Sequence, residues 1–252
     1  MLDYDHEAAV YDRTRGGDER ADAAAEAIGK LLPAGAKTIV DVACGTAIVS
    51  TRLRAPGRTV VGVDRAAGML SHARPRLDGN VAVGDATRLP CADASVDAVT
   101  YCWLLHLLDA ETANAAIADA ARVLRTGGML ITTVNKNFAS YATPSDVSAI
   151  VEPAHRALVP VPPDGTSRVV GQGARHGLAL IGETTFAGHG QGRSSARWVR
   201  DLVEEFTWFQ QADQAVVTNL TMRLAGLPQP DRPRPDPVYQ VVALAKSAPV
   251  HS

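Results

Sequence analysis

An α/β fold built on a mostly parallel sheet is the class this sequence predicts, and three observations carry the prediction. Short β-branched runs alternate with helical stretches through the first half of the chain. Two of those runs close on aspartates, Asp41 and Asp64, and Asp85 follows a third, where open α/β sheets gather ligand-binding groups. The 252 residues, 46% of them hydrophobic, supply the core that one elaborated domain requires.

After a polar start, Asp18 to Leu32 reads as a helix closed by Pro33 and Gly35. Thr38 to Val42 is a first buried strand, Thr59 to Val63 a second, Ala66 to Arg74 a helix, Val81 to Val83 a third strand and Val96 to Cys102 a fourth. Glu111 to Leu124 is an Ala-rich helix with Gly127-Gly128 as its stop, and Met129 to Val134 a fifth strand. The alternation then lapses. Asn135 to Gly165 holds Pro160-Val161-Pro162-Pro163 and one helix, Asp146 to Leu158, and reads as an insertion over the sheet. Arg168 to His176 is a helix ended by Gly177, and Leu178 to Phe186 alternates as a strand. Ser194 or Ser195 then offers an N-cap. Trp198, Leu202, Phe206 and Phe209 recur along one helical face, either as core packing or as the wall of a substrate pocket. A helix from Asp213 to Leu224 and a proline-rich connection from Pro228 to Pro237 lead to a last strand, Val238 to Ala245.

Charge and composition narrow the partners. Twenty-five Lys and Arg against 27 Asp and Glu leave a net charge of −2, with no basic run for nucleic acid. No apolar run approaches the roughly 20 residues of a membrane span, and Met1 to Arg20 is too charged for a signal peptide, so a cytoplasmic location is expected. Cys44, Cys91 and Cys102 match no metal spacing, so reduced thiols and no metal site are expected.

The chemistry concentrates where strands end. In Asp41-Val42-Ala43-Cys44-Gly45-Thr46-Ala47 a strand runs into a turn whose alternate positions are small, as a turn lying against a ligand requires. A dinucleotide fingerprint needs a small residue at position 48, which is Ile, so NAD and FAD are disfavoured. Asp64 follows Gly45 by 19 residues, placed to accept both hydroxyls of a ribose, and Asp85 in Gly84-Asp85-Ala86 can accept from an adenine amino group.

Together with Met69-Leu70, Leu89-Pro90, Asp93-Ala94-Ser95-Val96-Asp97 and Arg122-Val123-Leu124-Arg125-Thr126-Gly127-Gly128, these residues make the chain resemble class I S-adenosylmethionine-dependent methyltransferases. The likeness is to their ubiquinone/menaquinone-biosynthesis-like group and runs from about Tyr4 to Val134. It implies a Rossmann-like seven-stranded, mostly parallel sheet with helices on both faces. It also implies an N-terminal lid and helix over residues 1–35, a cofactor core over 36–134, an acceptor-side insertion and variable region over 135–237 and a final strand over 238–246. The cofactor would be S-adenosylmethionine. Asp41 and Gly45, with Ala43 beside them, would face its methionine part, Asp64 its ribose, Met69 the adenine ring and Asp85 with Ala86 the ring edge. Arg65 and Tyr101 would join the cofactor site, and Trp103 would border cofactor or acceptor. Ala43 and Ala47 depart from the family, which often has Gly there.

Tyr11 and Arg15 resemble the group's lid residues, Arg15 as a partner for the cofactor carboxylate, although an exposed polar arm reads equally simply. His106, just past strand four, is either a general base or a group that positions the acceptor. His155, His176 and His189 fall in the variable region without order among them. The expected function is methyl transfer to oxygen, nitrogen or carbon of a small molecule, in bacterial secondary metabolism, by a monomer or homodimer. A nucleic-acid methyltransferase is opposed by the charge and by the lack of an Asn/Asp-Pro-Pro-aromatic motif after strand four. A non-catalytic binding protein of the same fold is the other alternative.

Overall fold

The computed structural model describes residues 12–13 and 16–248. Tyr4, Tyr11 and Arg15, and with them the lid expected from the N-terminal sequence, lie outside the described residues. The elements in chain order are α1 (Gly17–Leu31), β1 (Thr38–Val42), β2 (Thr59–Asp64), α2 (Ala67–Arg76), β3 (Val81–Val83), β4 (Val96–Tyr101), α3 (Ala110–Val123) and β5 (Leu124–Val134). There follow α4 (Ala139–Ala142), α5 (Ser148–Leu158), α6 (Thr166–Arg175), β6 (Leu178–Ala187), α7 (Ser195–Glu204), α8 (Thr207–Gln210), α9 (Gln214–Ala225) and β7 (Val238–Lys246).

The seven strands form one sheet in the order β3-β2-β1-β4-β5-β7-β6. β7 runs antiparallel to both neighbours, and the remaining pairings are parallel. The chain leaves β1 toward β2 and β3, then returns to lay β4 and β5 on the other side, so the order reverses between β1 and β4. Open α/β sheets form their ligand crevice at such a reversal, beyond the C-terminal strand ends.

Period-two alternation divides the strands between two cores. Val40, Val99 and Tyr101 join one layer with Ile117 of α3 and Val169 of α6, while Ile39 and Ala98 join the opposite layer with Ala24 and Ile28 of α1. Asp97 pins the entrance of the sheet: one of its oxygens accepts from Lys37 N at 2.6 Å and from Thr38 N at 2.9 Å, and Arg125 pairs with the carboxylate. Arg122 holds the loop before β4, donating to Asp119 and Asp93 at 2.7 Å each and to the Cys91 carbonyl at 2.9 Å.

Two expectations need correction. Gly127 and Gly128 do not cap α3, which passes straight into β5 at Leu124. The last helical carbonyls are taken instead by the loop before β4, Ala94 N donating to Arg122 O and Ser95 N to Val123 O. The glycines sit in a bulge of β5 where pairing jumps from Val96–Leu124 to Ala98–Met129. A Cβ on Gly128 would come within 2.9 Å of the Arg125 carbonyl. Second, Trp198, Leu202, Phe206 and Phe209 do not line one helix. α7 stops at Glu204, Phe206 has extended backbone and α8 begins at Thr207. The four still meet in a third apolar cluster with Tyr141, Val151 and Leu220, which closes a helical cap formed by α4, α5, α7, α8 and α9. Ser194 is the N-cap of α7, its hydroxyl accepting from Arg197 N at 3.2 Å.

Candidate functional site

At the end of β1 the backbone enters the left-handed region three times, with φ of 55° at Ala43, 56° at Gly45 and 61° at Ala47. Only Gly adopts that conformation without steric cost, which gives the small-residue pattern a conformational reason besides the spatial one. A Cβ placed on Gly45 meets no atom within 4 Å, so any larger residue there would project into the open space above the turn. Asp64, closing β2, braces this turn: its oxygens accept from Gly45 N at 2.8 Å and Ala66 N at 2.9 Å. A carboxylate has about four acceptor sites, so two remain for hydroxyl donors. Gly62 is required beneath, because a Cβ there would stand 2.7 Å from Cys44 Sγ.

These strand ends open into a cavity of about 1630 Å³ running between the sheet and the helical cap. Asp41, Ala43, Gly45, Asp64, Arg65, Met69, Asp85, Ala86, Trp103 and His106 all line it. Tyr101 does not, and its assignment to the cofactor site is corrected. Strand alternation turns it to the α3 face, where it is fully buried and its hydroxyl donates to the Ala116 carbonyl at 2.7 Å. Of the other histidines, His155 reaches the cavity, while His176 and His189 are not among its lining residues.

Asp41 is 2% exposed, accepting from Ser50 Oγ and from Thr100 Oγ1, the latter at 2.6 Å. Burial raises its pKa to about 6 despite those two hydrogen bonds, so a cation beside it would favour the ionised form. Asp85 is pulled the other way, below the usual range, by the hydroxyl and N–H of Thr87. Burial pushes the Cys44 and Cys102 thiols up, so neither is a thiolate near neutrality. His106, on a 3-10 turn after β4, is brought down to about 3 by desolvation and by the positive charges of Lys136 and Arg20, which keeps its imidazole neutral.

Trp103 has φ of 62°, an uncommon conformation for a bulky residue, and its neighbours hold it there. Its N–H donates to Thr133 Oγ1 at 2.9 Å, and its ring packs edge-on against Phe186 and Tyr239. The Arg20 guanidinium lies 3.8 Å over that ring. Among the described residues, neither Trp103 Nε1 nor His106 Nδ1, both buried, has a hydrogen-bond partner. Arg20 and Tyr239 were missed by the reading of the sequence. Arg20 carried a signal: it shares the buried stripe of α1 with Ala24 and Ala27, where a charged residue needs a reason. Tyr239, on the far end of the chain, gave none.

A methyltransferase-domain family matches residues 40–132, a span that runs from within β1 to within β5 and holds the ends of β1 to β4. The match covers well under half of the chain, and over it the chain is similar to a methyltransferase domain. An uncharacterized methyltransferase of Mycobacterium tuberculosis is 43% identical over 106 residues, covering 42% of each chain. A demethylmenaquinone methyltransferase of Mycobacterium sp. (strain KMS) is 43% identical over 107 residues, 40% of this chain and 45% of that one. The matches thus span less than half the length of these relatives. Among solved structures, geranyl diphosphate C-methyltransferase from Streptomyces coelicolor A3(2), in complex with Mg2+, geranyl diphosphate and S-adenosyl-L-homocysteine, shares the fold. Its TM-score is 0.52 at 16% identity, over 89% of this chain and 78% of that one. S-adenosylmethionine is the cofactor that the family resemblance implies, and the residues present fit it: a narrow turn at Gly45, a braced carboxylate at Asp64, and, lining the same cavity, the apolar side chain of Met69 and the carboxylate of Asp85. Among the described residues no helix is long and apolar enough to cross a membrane.

Proposed function

We propose that this protein transfers a methyl group from S-adenosylmethionine to a small, flat acceptor held between the strand ends and the helical cap. The observation that carries the proposal is the continuity of the cavity, which joins the β1–β3 rim to an aromatic chamber made by Phe138, Tyr141, His155, Phe206 and Trp208. Bound there, S-adenosylmethionine supplies an electrophilic methyl group on a sulfonium. The chain's task is to align the acceptor with it and to exclude water.

In this reading Asp64 accepts from the ribose hydroxyls with the lone pairs its backbone bonds leave over. Met69 and Ala86 pack on the adenine, Asp85 reads the ring edge, and Asp41 and Gly45 border the methionine part. His106, held neutral, positions the acceptor with its imidazole and does not deprotonate it. We place the reaction in the cytoplasm and in bacterial secondary metabolism on the strength of the family resemblance and the lack of an apolar span.

Calorimetry tests the cofactor assignment: S-adenosylmethionine and S-adenosylhomocysteine should bind with micromolar Kd, about −8 kcal/mol, and NAD should give no heat. The reverse preference would sink it. For His106, the sign of the pKa shift decides the pH profile. With its pKa near 3, the imidazole stays unprotonated from pH 5 to 9, so its titration contributes no rising limb to the single-turnover rate near neutrality. A limb near pH 6.5 that disappears in His106→Ala would restore the general-base role.

A further inference from the structure

Among the described residues, the acceptor end of the cavity is lined by cations and no carboxylate. Its lining carboxylates, Asp41, Asp64 and Asp85, all belong to the β1–β3 rim, whereas the cap contributes Lys136, Arg156, Arg193 and Arg197. Arg156 has a partner in Glu152, at 2.5 Å. The loop before α7 and α7 itself are different. Arg193, Arg197 and Arg200 converge on one carboxylate, Asp201, with Nε to oxygen distances of 3.1, 3.4 and 3.8 Å. Asp201 is 3% exposed and faces away from the cavity lining. Among the described residues three guanidinium groups thus share one buried carboxylate, an excess of positive charge, and two of the three line the cavity.

Arg193 also touches the aromatic chamber. Its guanidinium lies 5.2 Å from the Trp198 ring centroid and 5.6 Å from that of Phe206, which fixes the plane of the fork. It is close enough to oppose, by its charge, the upward shift of the Tyr141 hydroxyl. A chamber of five aromatic rings can take a flat apolar group or a cation. The arginines decide between them, because a cationic ligand would enter against an excess of positive charge, while an anion would pair with it. One carboxylate oxygen occupies only part of a five-donor fork, so donors remain on Arg193 for a ligand.

We propose that the acceptor is an aromatic anion, its ring inside the chamber and its carboxylate or phosphate on Arg193 and Arg197. This rests on the reading of the cavity as the acceptor site. The test is calorimetry on protein saturated with S-adenosylhomocysteine, titrated with 4-hydroxybenzoate, its neutral analogue 4-hydroxybenzamide, and phenyl phosphate. At least one of the two anions should bind tenfold or more tightly than the amide, with the stronger of the two identifying the anionic group. The preference should shrink threefold or more in R197Q and vanish in R193Q, while S-adenosylhomocysteine affinity stays constant. R193Q also removes a partner of buried Asp201 and can lose its fold; R197Q, whose side chain is 53% exposed, keeps the test open. Equal affinity for acid and amide, no binding by any probe, or a preference untouched in R197Q would overturn the anionic-acceptor proposal while S-adenosylhomocysteine still binds. Failure of S-adenosylhomocysteine itself to bind would instead sink the methyl-transfer reading and this proposal with it.

Discussion

The two halves of the cavity receive their side chains in different ways. On the β1–β3 rim each group stands at or just beyond the end of a strand, so that Asp41, Asp64 and Asp85 arrive at one edge of the parallel sheet, stepped by two positions from strand to strand. On the cap side the aromatic chamber draws Phe138 and Tyr141 from around α4, His155 from α5, and Phe206 and Trp208 from the α7–α8 junction. The rim is fixed by backbone hydrogen bonds and glycine conformations. The chamber is fixed by ring packing: Tyr141 lies 3.9 Å from His155 between ring centroids, and its hydroxyl accepts from Trp208 Nε1 at 3.1 Å. A rim of the first kind suits a ligand that does not change, and a chamber of the second kind can be rebuilt for a new ligand by exchanging rings.

Substitutions can break or sharpen that contrast. The largest effect is expected under the rim: Gly62→Val puts a branched side chain where even a Cβ would stand 2.7 Å from Cys44 Sγ and 2.9 Å from Leu77 Cδ1. It should cost about 3 kcal/mol or more of stability, read by denaturant unfolding; a change within 0.5 kcal/mol would mean the rim is softer than described. Next, Asp64→Ala should weaken S-adenosylhomocysteine binding at least tenfold, about 1.5 to 3 kcal/mol for lost hydrogen bonds to a charged group. An unchanged Kd would remove Asp64 from the cofactor site.

On the cap side, Trp208→Ala should raise the Kd of an aromatic acceptor roughly fivefold to thirtyfold, from about 1 to 2 kcal/mol of lost ring contact, with cofactor affinity unmoved. If cofactor affinity fell as much, the halves would be one unit. The smallest effect is at Ala43, whose φ of 55° a glycine adopts without strain. Ala43→Gly should therefore stabilise the protein by about 0.5 to 1 kcal/mol, seen as a higher Tm, while a lower Tm would show that the methyl group packs better than its backbone conformation suggests.

The sheet and the strand-end rim of the cavity were legible because both depend on short-range patterns: strand ends, small residues at alternate positions, and carboxylates spaced by one β-α unit. The α3–β5 junction was misread at Gly127-Gly128 because the loop that caps α3, Ala94 and Ser95, is distant in sequence from the helix end. The continuous stripe from Trp198 to Phe209 was misread because periodicity cannot register the break at Phe206. The resemblance put Tyr101 in the cofactor site beside Trp103, yet a difference of two positions across a strand end changes which layer a side chain meets.

By itself, the sequence determined the α/β class, the order of the strands along the chain and the three rim aspartates, since each follows from local periodicity and spacing. Only the tertiary structure decided that Arg20 lies over Trp103, that His106 is held neutral between desolvation and two cations, and that three arginines share Asp201 beside an aromatic chamber. Those facts depend on burial and on charges brought together from distant segments, and neither quantity exists until the chain has folded.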